Sequence, residues 1–299
     1  MSATAPRHFP FLAGHDPLRM GVAAIDARDW FELDADYAAQ MAEKVRLLAE
    51  RRAEVFQILP EAEAAARELL DEVSRWATAH PTGFAREGDA RARAIRSPDG
   101  RVVPLAAAPA GVHPLEAAAR LVQEDLCVLQ PDASGTLILT AACLCFPSRW
   151  VLAEKLGHPM LSIHSPVPGL NSKIGATIDR FLAGLKQGAI YSRVNWSLTT
   201  DPQLFQPMAL PHGAITEADA GERIFYRVER QTLRRLPQSG AVVFGIRVHQ
   251  HKLSAFKRDP EMGRALAEAV AHLEPTLIAY KSMSGIKDAV CRYLAASAA

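Results

Sequence analysis

Two hydrophobic periods alternate along the chain. From Asp34 to Arg52, the residues Tyr37, Met41, Val45 and Leu48 fall on one stripe, a 3.6-residue spacing that predicts an amphipathic helix. Pro60 is placed to open a second helix, with Ala64, Leu69, Leu70, Val73 and Trp76 on its apolar face up to about Ala79. Residues 80–114 are rich in Gly, Pro, Arg and small side chains and predict loop, with short strands around Arg101 to Leu105. Helical spacing returns from Leu115 to Leu129 through Leu115, Ala118, Leu121, Val122 and Leu126.

The middle of the chain changes period. Thr136 to Phe146, β-branched and apolar between Gly135 and Pro147, predicts a buried strand. Ser148 can cap a short helix through Leu156, ended by Gly157 and Pro159. Leu161 to Pro168 predicts irregular backbone held by Pro166 and Pro168, and Ile174 to Leu185 a helix. Three strands follow, Ile190–Leu198, Ile224–Thr232 and Ala241–His249, with a turn at Gln238-Ser239-Gly240. Glu261–Leu273 and Ser284–Ala298 predict closing helices. Strands clustered between about 136 and 250, with helices before and after, imply an α+β fold rather than a doubly wound parallel sheet. No repeat or low-complexity linker divides the chain, so the expectation is one domain over 1–299. Within it, 1–130 reads as a mainly helical extension, 131–255 as the sheet-containing core and 256–299 as C-terminal helices.

Composition narrows the function. Of 299 residues, 49% are hydrophobic, and 34 Lys+Arg face 33 Asp+Glu for a net charge of +1. That excludes a disordered chain and argues against nucleic acid as a partner bound through bulk positive charge. The four cysteines, Cys127, Cys143, Cys145 and Cys291, form no CxxC, which removes support for a disulfide scaffold, a zinc ribbon or an iron–sulfur cluster. Cys143 and Cys145 share an apolar strand face and read as packed thiols. The longest apolar stretch, near Leu137 to Phe146, is well short of the roughly 20 residues of a spanning helix. Met1 to Pro10 lacks a secretory pattern, so the expectation is a cytoplasmic protein without a membrane partner. GxGxxG, P-loop, GxSxG and HExxH patterns are absent, so any redox chemistry needs electrons from elsewhere.

The strand Ile224 to Thr232 carries unusual charge. Phe225, Arg227, Glu229 and Gln231 share one face, while Tyr226, Val228 and Arg230 take the other. Between Arg223 and Arg235 five arginines stand against one glutamate, a local net of +4. Arg and Glu two positions apart can form a fixed ion pair or bind a polar small molecule, and a buried carboxylate there can hold a cationic amine. A solvated strand with surface ion pairs is the alternative. Tyr191, Arg193, Asn195 and Ser197 share a face of the preceding strand and suit either a polar pocket wall or a half-exposed strand. His164 stands in a proline-stiffened segment, where an imidazole can be structural or can ligate haem iron. His249 and His251 share a strand face and could bind a metal, with no third ligand evident nearby. His158, in a turn before Pro159, reads as solvated.

Taken in order, these blocks resemble one family. Phe146-Pro147-Ser148-Arg149-Trp150, Lys155-Leu156-Gly157 and Ile163-His164-Ser165-Pro166-Val167-Pro168-Gly169 are similar to the haem-dependent oxidative N-demethylase α-subunit-like family. Arg193-Val194-Asn195-Trp196, the block from Glu229 to Pro237, and Tyr280-Lys281 continue the resemblance, which runs from about Phe11 to Leu294. It implies a PAS-like antiparallel sheet flanked by helices and enclosing haem b, with a histidine proximal to the iron. It implies oxidation of a small secondary methylamine, such as dimethylamine, by O2 to a primary amine and formaldehyde. Electrons would come from NADPH through FMN and 2Fe-2S centres on partner reductase subunits.

Carried onto this sequence, the resemblance makes His164 the iron ligand. Arg227 would polarise oxygen, and Glu229 would hold the protonated amine and manage its proton. Arg230 and Gln231 become distal-pocket or propionate contacts, with Tyr191, Arg193 and Asn195 as weaker candidates for the same pocket. Arg149 would bind a propionate or cap structure. A haem-binding PAS-like sensor or carrier without turnover is the competing reading, disfavoured by the lack of a long heptad run or a second domain. A member that has lost haem and serves as a structural partner is a third.

Overall fold

The computed structural model describes residues 5–14, 16, 18–79, 82–87, 94–105, 112–210 and 213–296. The first four residues, parts of the loop expected over 80–114 and the last residues of the closing helix expected to Ala298 therefore lie outside the described residues.

The period-2 segments form strands, joined by others that the sequence did not announce. The strands are β1 (Ala23–Ile25), β2 (Phe56–Ile58), β3 (Ala85–Glu87), β4 (Ala94–Arg96), β5 (Val102–Pro104), β6 (Asp125–Pro131), β7 (Leu137–Cys143), β8 (Ile190–Thr199), β9 (Phe225–Arg235) and β10 (Val242–Lys252). Among the described residues they form a seven-stranded sheet in the order β1-β8-β9-β10-β6-β7-β2, and a small sheet β3-β4-β5. Every neighbouring pair runs antiparallel. β9 is the spine, with Glu229 opposite Asn195 on one side and Val248 on the other.

The helices are α1 (Tyr37–Glu50), α2 (Arg52–Val55), α3 (Glu63–Ala79), α4 (Pro114–Ala119), α5 (Met160–Ile163), α6 (Ala176–Ala183), α7 (Glu217–Arg223), α8 (Pro260–Ala271), α9 (Pro275–Tyr280) and α10 (Lys287–Ala296). Mixed helix and antiparallel sheet is the α+β class expected. α8 and α10 bury Leu266, Val270, Val290 and Leu294 in a cluster with Trp196, Tyr226 and Val228 on the back of the sheet. Each such side chain contributes about 1.5–3 kcal/mol by leaving water. The other cluster joins α1, α3 and α4 to β6 and β7.

Three expectations need correction. The helix expected from Leu115 to Leu129 stops at Ala119, and the chain straightens into β6. The cause is tertiary. The buried Lys44 ammonium donates to the carbonyls of Ala119, Val122 and Glu124, which a continuing helix would need for itself. Asp125, 3.9 Å from Lys44 Nζ, accepts the backbone N–H of Cys145 and of Phe146 and so locks β6 to the end of β7. The sheet thus reaches back into the segment expected to be a helical extension. Second, Ser148 caps no helix. The short turn at Leu152–Glu154 has no side-chain cap, and Ser148 Oγ instead accepts from Arg227 Nε at 2.7 Å. Third, the backbone from Leu161 is not irregular throughout, because Pro159 opens α5 and Pro275 likewise opens the unexpected α9.

Lys44→Met should lower stability by about 3–5 kcal/mol, because it strands a buried carboxylate and frees the carbonyls at the α4–β6 junction. The midpoint of urea unfolding measures it.

Candidate functional site

A cavity of about 230 Å³ opens between the front face of the sheet and the crossover from β7 to β8. Its walls are apolar where Leu129 and Leu139 from the sheet meet Ile163, Ile174, Ile178 and Phe181 from the crossover. A π-helical turn at Asn171–Gly175 feeds α6 and brings Ile174 inward. Such turns widen a helix locally and occur often at functional sites.

His164 enters this cavity from the end of α5, where its backbone N–H donates to Met160 O at 2.9 Å. The chain then turns back on itself, with Val167 N–H donating to His164 O, and reaches Gly169 in the left-handed region at φ 72°. The Nδ1 atom of His164 is buried with no hydrogen-bond partner. Burial, then the charges of Arg193 and Lys155, push the ring down from 6.5 to about 4. A buried imidazole kept neutral retains one ring lone pair that can accept a hydrogen bond or ligate a metal.

A polar patch completes the lining. Strand alternation sends Arg193 and Asn195 from β8, and Glu229 and Gln231 from β9, into the cavity. Gln231 Nε2 donates to Glu229 Oε2 at 3.0 Å, and Arg193 Nη1 donates to Gln231 Oε1 at 3.0 Å. Arg193 Nε also donates to Met20 O, which closes that edge. Arg149 arrives from the loop after β7 with left-handed backbone at φ 56°, strained for a side chain bearing a Cβ. Its N–H donates to Gln206 O at 2.6 Å, and its Nη1 to Lys281 O at 3.0 Å. Ser282, next to Lys281, is left-handed as well. Burial lowers the pKa of both Arg149 and Arg193, and the Glu229 charge opposes that drop.

The structure brings His164, Glu229, Gln231, Arg149, Arg193 and Asn195 to one cavity. It does not bring Arg227, Arg230 or Tyr191. Arg227 lies on the expected face but is 1% exposed. It donates to Ser148 Oγ, Gln250 Oε1 and the carbonyls of Phe146, Pro147 and Leu204, none of them a group pointing it into the cavity. Arg230 points to the back of the sheet, as alternation requires, and donates to the carbonyls of Asp29 and Trp30. Tyr191 packs its ring edge-on against Phe181 at 5.1 Å. Two lining residues had no role assigned, Tyr280 and Lys281 at the end of α9. Burial and the Arg149 charge push the Lys281 ammonium down to about 8, and Nζ donates to Trp196 O at 2.6 Å. The signal for both was their place in the resemblance, since α9 was not foreseen.

An apolar chamber with an imidazole, a carboxylate and several cations along its wall is a pocket for a largely apolar ligand that also carries charged groups. The chain belongs to the haem-dependent oxidative N-demethylase, alpha subunit-like family, whose model matches residues 21–291. The residues present fit haem. The unpartnered imidazole suits the iron, the aliphatic walls suit the macrocycle, and Arg149, Arg193 and Lys281 suit its carboxylates. The family description also marks its members as subunits of a larger enzyme. Among the described residues no helix is long and apolar enough to cross a membrane.

In haem-free protein the His164 ring should titrate near pH 4, far below the ordinary 6.5. The folded pKa is depressed, so as pH falls below 6.5 the unfolded chain takes the proton first. Stability present above that pH is lost progressively toward pH 4. An NMR titration of the ring proton, assigned with His164→Gln, checks the midpoint.

Proposed function

We propose that this chain is the haem-binding catalytic subunit of an oxidative N-demethylase acting on a small secondary methylamine. The observation that carries the reading is the buried, unpartnered Nδ1 of His164 in the same cavity as Glu229. The strand order supports a PAS-like core. Numbered along the chain, the five longer strands β6 to β10 lie in the order second, first, fifth, fourth, third, and a helical crossover joins the second to the third.

Haem b, when bound, supplies the oxygen and electron-transfer chemistry. His164 would hold the iron through its neutral imidazole, and the apolar walls would exclude water. Arg149 and Arg193 would anchor the propionates as charge-assisted donors. Glu229, steadied by Gln231, would hold a protonated methylamine and take its proton. Lys281, with its pKa lowered to about 8, can hold or release a proton at Nζ close to neutral pH. The products would be a primary amine and formaldehyde. Electrons would come from NADPH through FMN and 2Fe-2S centres on reductase subunits. The cysteines of this chain support that division, because burial holds the Cys127 thiol, and a hydrogen bond with Cys143 together with burial holds the Cys145 thiol, well above the ordinary range.

Purified protein should take up haem and show a Soret band, which His164→Ala should abolish or shift. Glu229→Gln should keep the band while formaldehyde release from dimethylamine, with a reductase present, falls by about a hundredfold. An unchanged spectrum in His164→Ala overturns the ligand assignment. A normal Soret band with no amine oxidised favours a sensor or carrier instead.

A further inference from the structure

On the back of the sheet, away from the cavity, His249 of β10 meets two residues from the far N-terminal part of the chain. Its Nε2 lies 2.9 Å from Glu32 Oε2, and the Nε2 of His8 lies 3.2 Å from the same oxygen. The three ligand atoms all fall within 4.8 Å of one another. His251, the partner expected from strand alternation, is not one of them; its ring stacks parallel to that of His249 with centroids 6.5 Å apart.

We propose that His8, Glu32 and His249 form a second, non-haem metal site, selective for zinc(II) or a similar borderline divalent ion. The donor set is two imidazoles and one carboxylate, which zinc favours. The spacing fits too. Zinc bonds of about 2.0–2.1 Å at tetrahedral angles place donor atoms about 3.3 Å apart, so each imidazole needs to shift only a few tenths of an ångström relative to Glu32 Oε2, and the two imidazole nitrogens lie within 4.8 Å of each other.

The surroundings orient the ligands. Arg230 Nε sits 3.2 Å from Glu32 Oε1 and occupies that oxygen, which leaves Oε2 to the imidazoles. Asp34 Oδ2 lies 3.6 Å from the other ring nitrogen of His249, close enough for its negative charge to favour the proton on that nitrogen and leave Nε2 free for a metal. Tyr226 Oη donates to His8 O at 2.9 Å and holds the segment in register. The three protein ligands leave a fourth position for water. The ion would strap the segment around His8 to the sheet, because it would tie His8 to His249 of β10 through one centre.

The test uses the full chain, stripped with a chelator and titrated with zinc(II) against a chromophoric competitor. Zinc per chain is counted by elemental analysis, separately from iron. The expected result is one zinc per chain, with affinity at least about tenfold weaker in His8→Ala and in Glu32→Gln. Zinc should also raise the melting temperature of the wild-type chain and leave that of His8→Ala unchanged. Circular dichroism confirms that each variant is folded, and Glu32→Gln serves if His8→Ala is not. Absence of zinc uptake by the wild-type chain overturns the proposal. So does uptake that both folded variants match, which would place the ion on unrelated surface histidines. Either failure leaves the haem reading of the front cavity untouched.

Discussion

The buried guanidinium of Arg227 organises the front of this molecule. A charge taken out of water costs several kcal/mol unless each donor finds an acceptor. Here the acceptors are the carbonyls of Phe146, Pro147 and Leu204 together with Ser148 and Gln250. Two loops distant in sequence are therefore held against β9. Once Phe146 to Ser148 are fixed, Arg149 follows into its left-handed backbone, where Gln206 O and Lys281 O take its N–H and Nη1. The roof of the cavity and part of its charge thus derive from one desolvated arginine that never touches the cavity itself.

The two faces of the same three strands do different work. Odd-numbered residues of β9 supply Glu229, Gln231 and Leu233 to the front cavity. Even-numbered ones put Tyr226 and Val228 under the C-terminal helices and Arg230 against the segment around Trp30. The local excess of arginine is consequently split among three environments rather than gathered at one ligand. Glu229 is left coupled to the charges of Arg149, Arg193 and Lys281, a cationic excess balanced by one carboxylate.

Much of this was legible from residue order, and the failures have identifiable causes. β8, β9 and β10 were readable because half-buried antiparallel strands alternate by two, and alternation alone placed Arg230 on the opposite face from Glu229. His164 was legible as a constrained imidazole because prolines flank it. β6 was not legible, because Leu115 to Leu126 keeps helical spacing and only Lys44, some 80 residues earlier, removes the carbonyls a helix needs. Arg227 was assigned the right face, but nothing local reveals that Leu204 and Phe146 will take donors of its buried guanidinium. The triad of His8, Glu32 and His249 was invisible for the same reason: a lone strand histidine acquires partners only when distant loops fold over it.

By itself the sequence determined the fold class, the family and the cores of β7 to β10, since periodicity, turn residues and contiguous blocks are short-range properties. Tertiary structure alone decided which charges face the cavity, where helix gives way to strand, and what meets His249. Those outcomes turn on buried polar groups, and such a group is placed by whichever distant donor or acceptor satisfies it out of water.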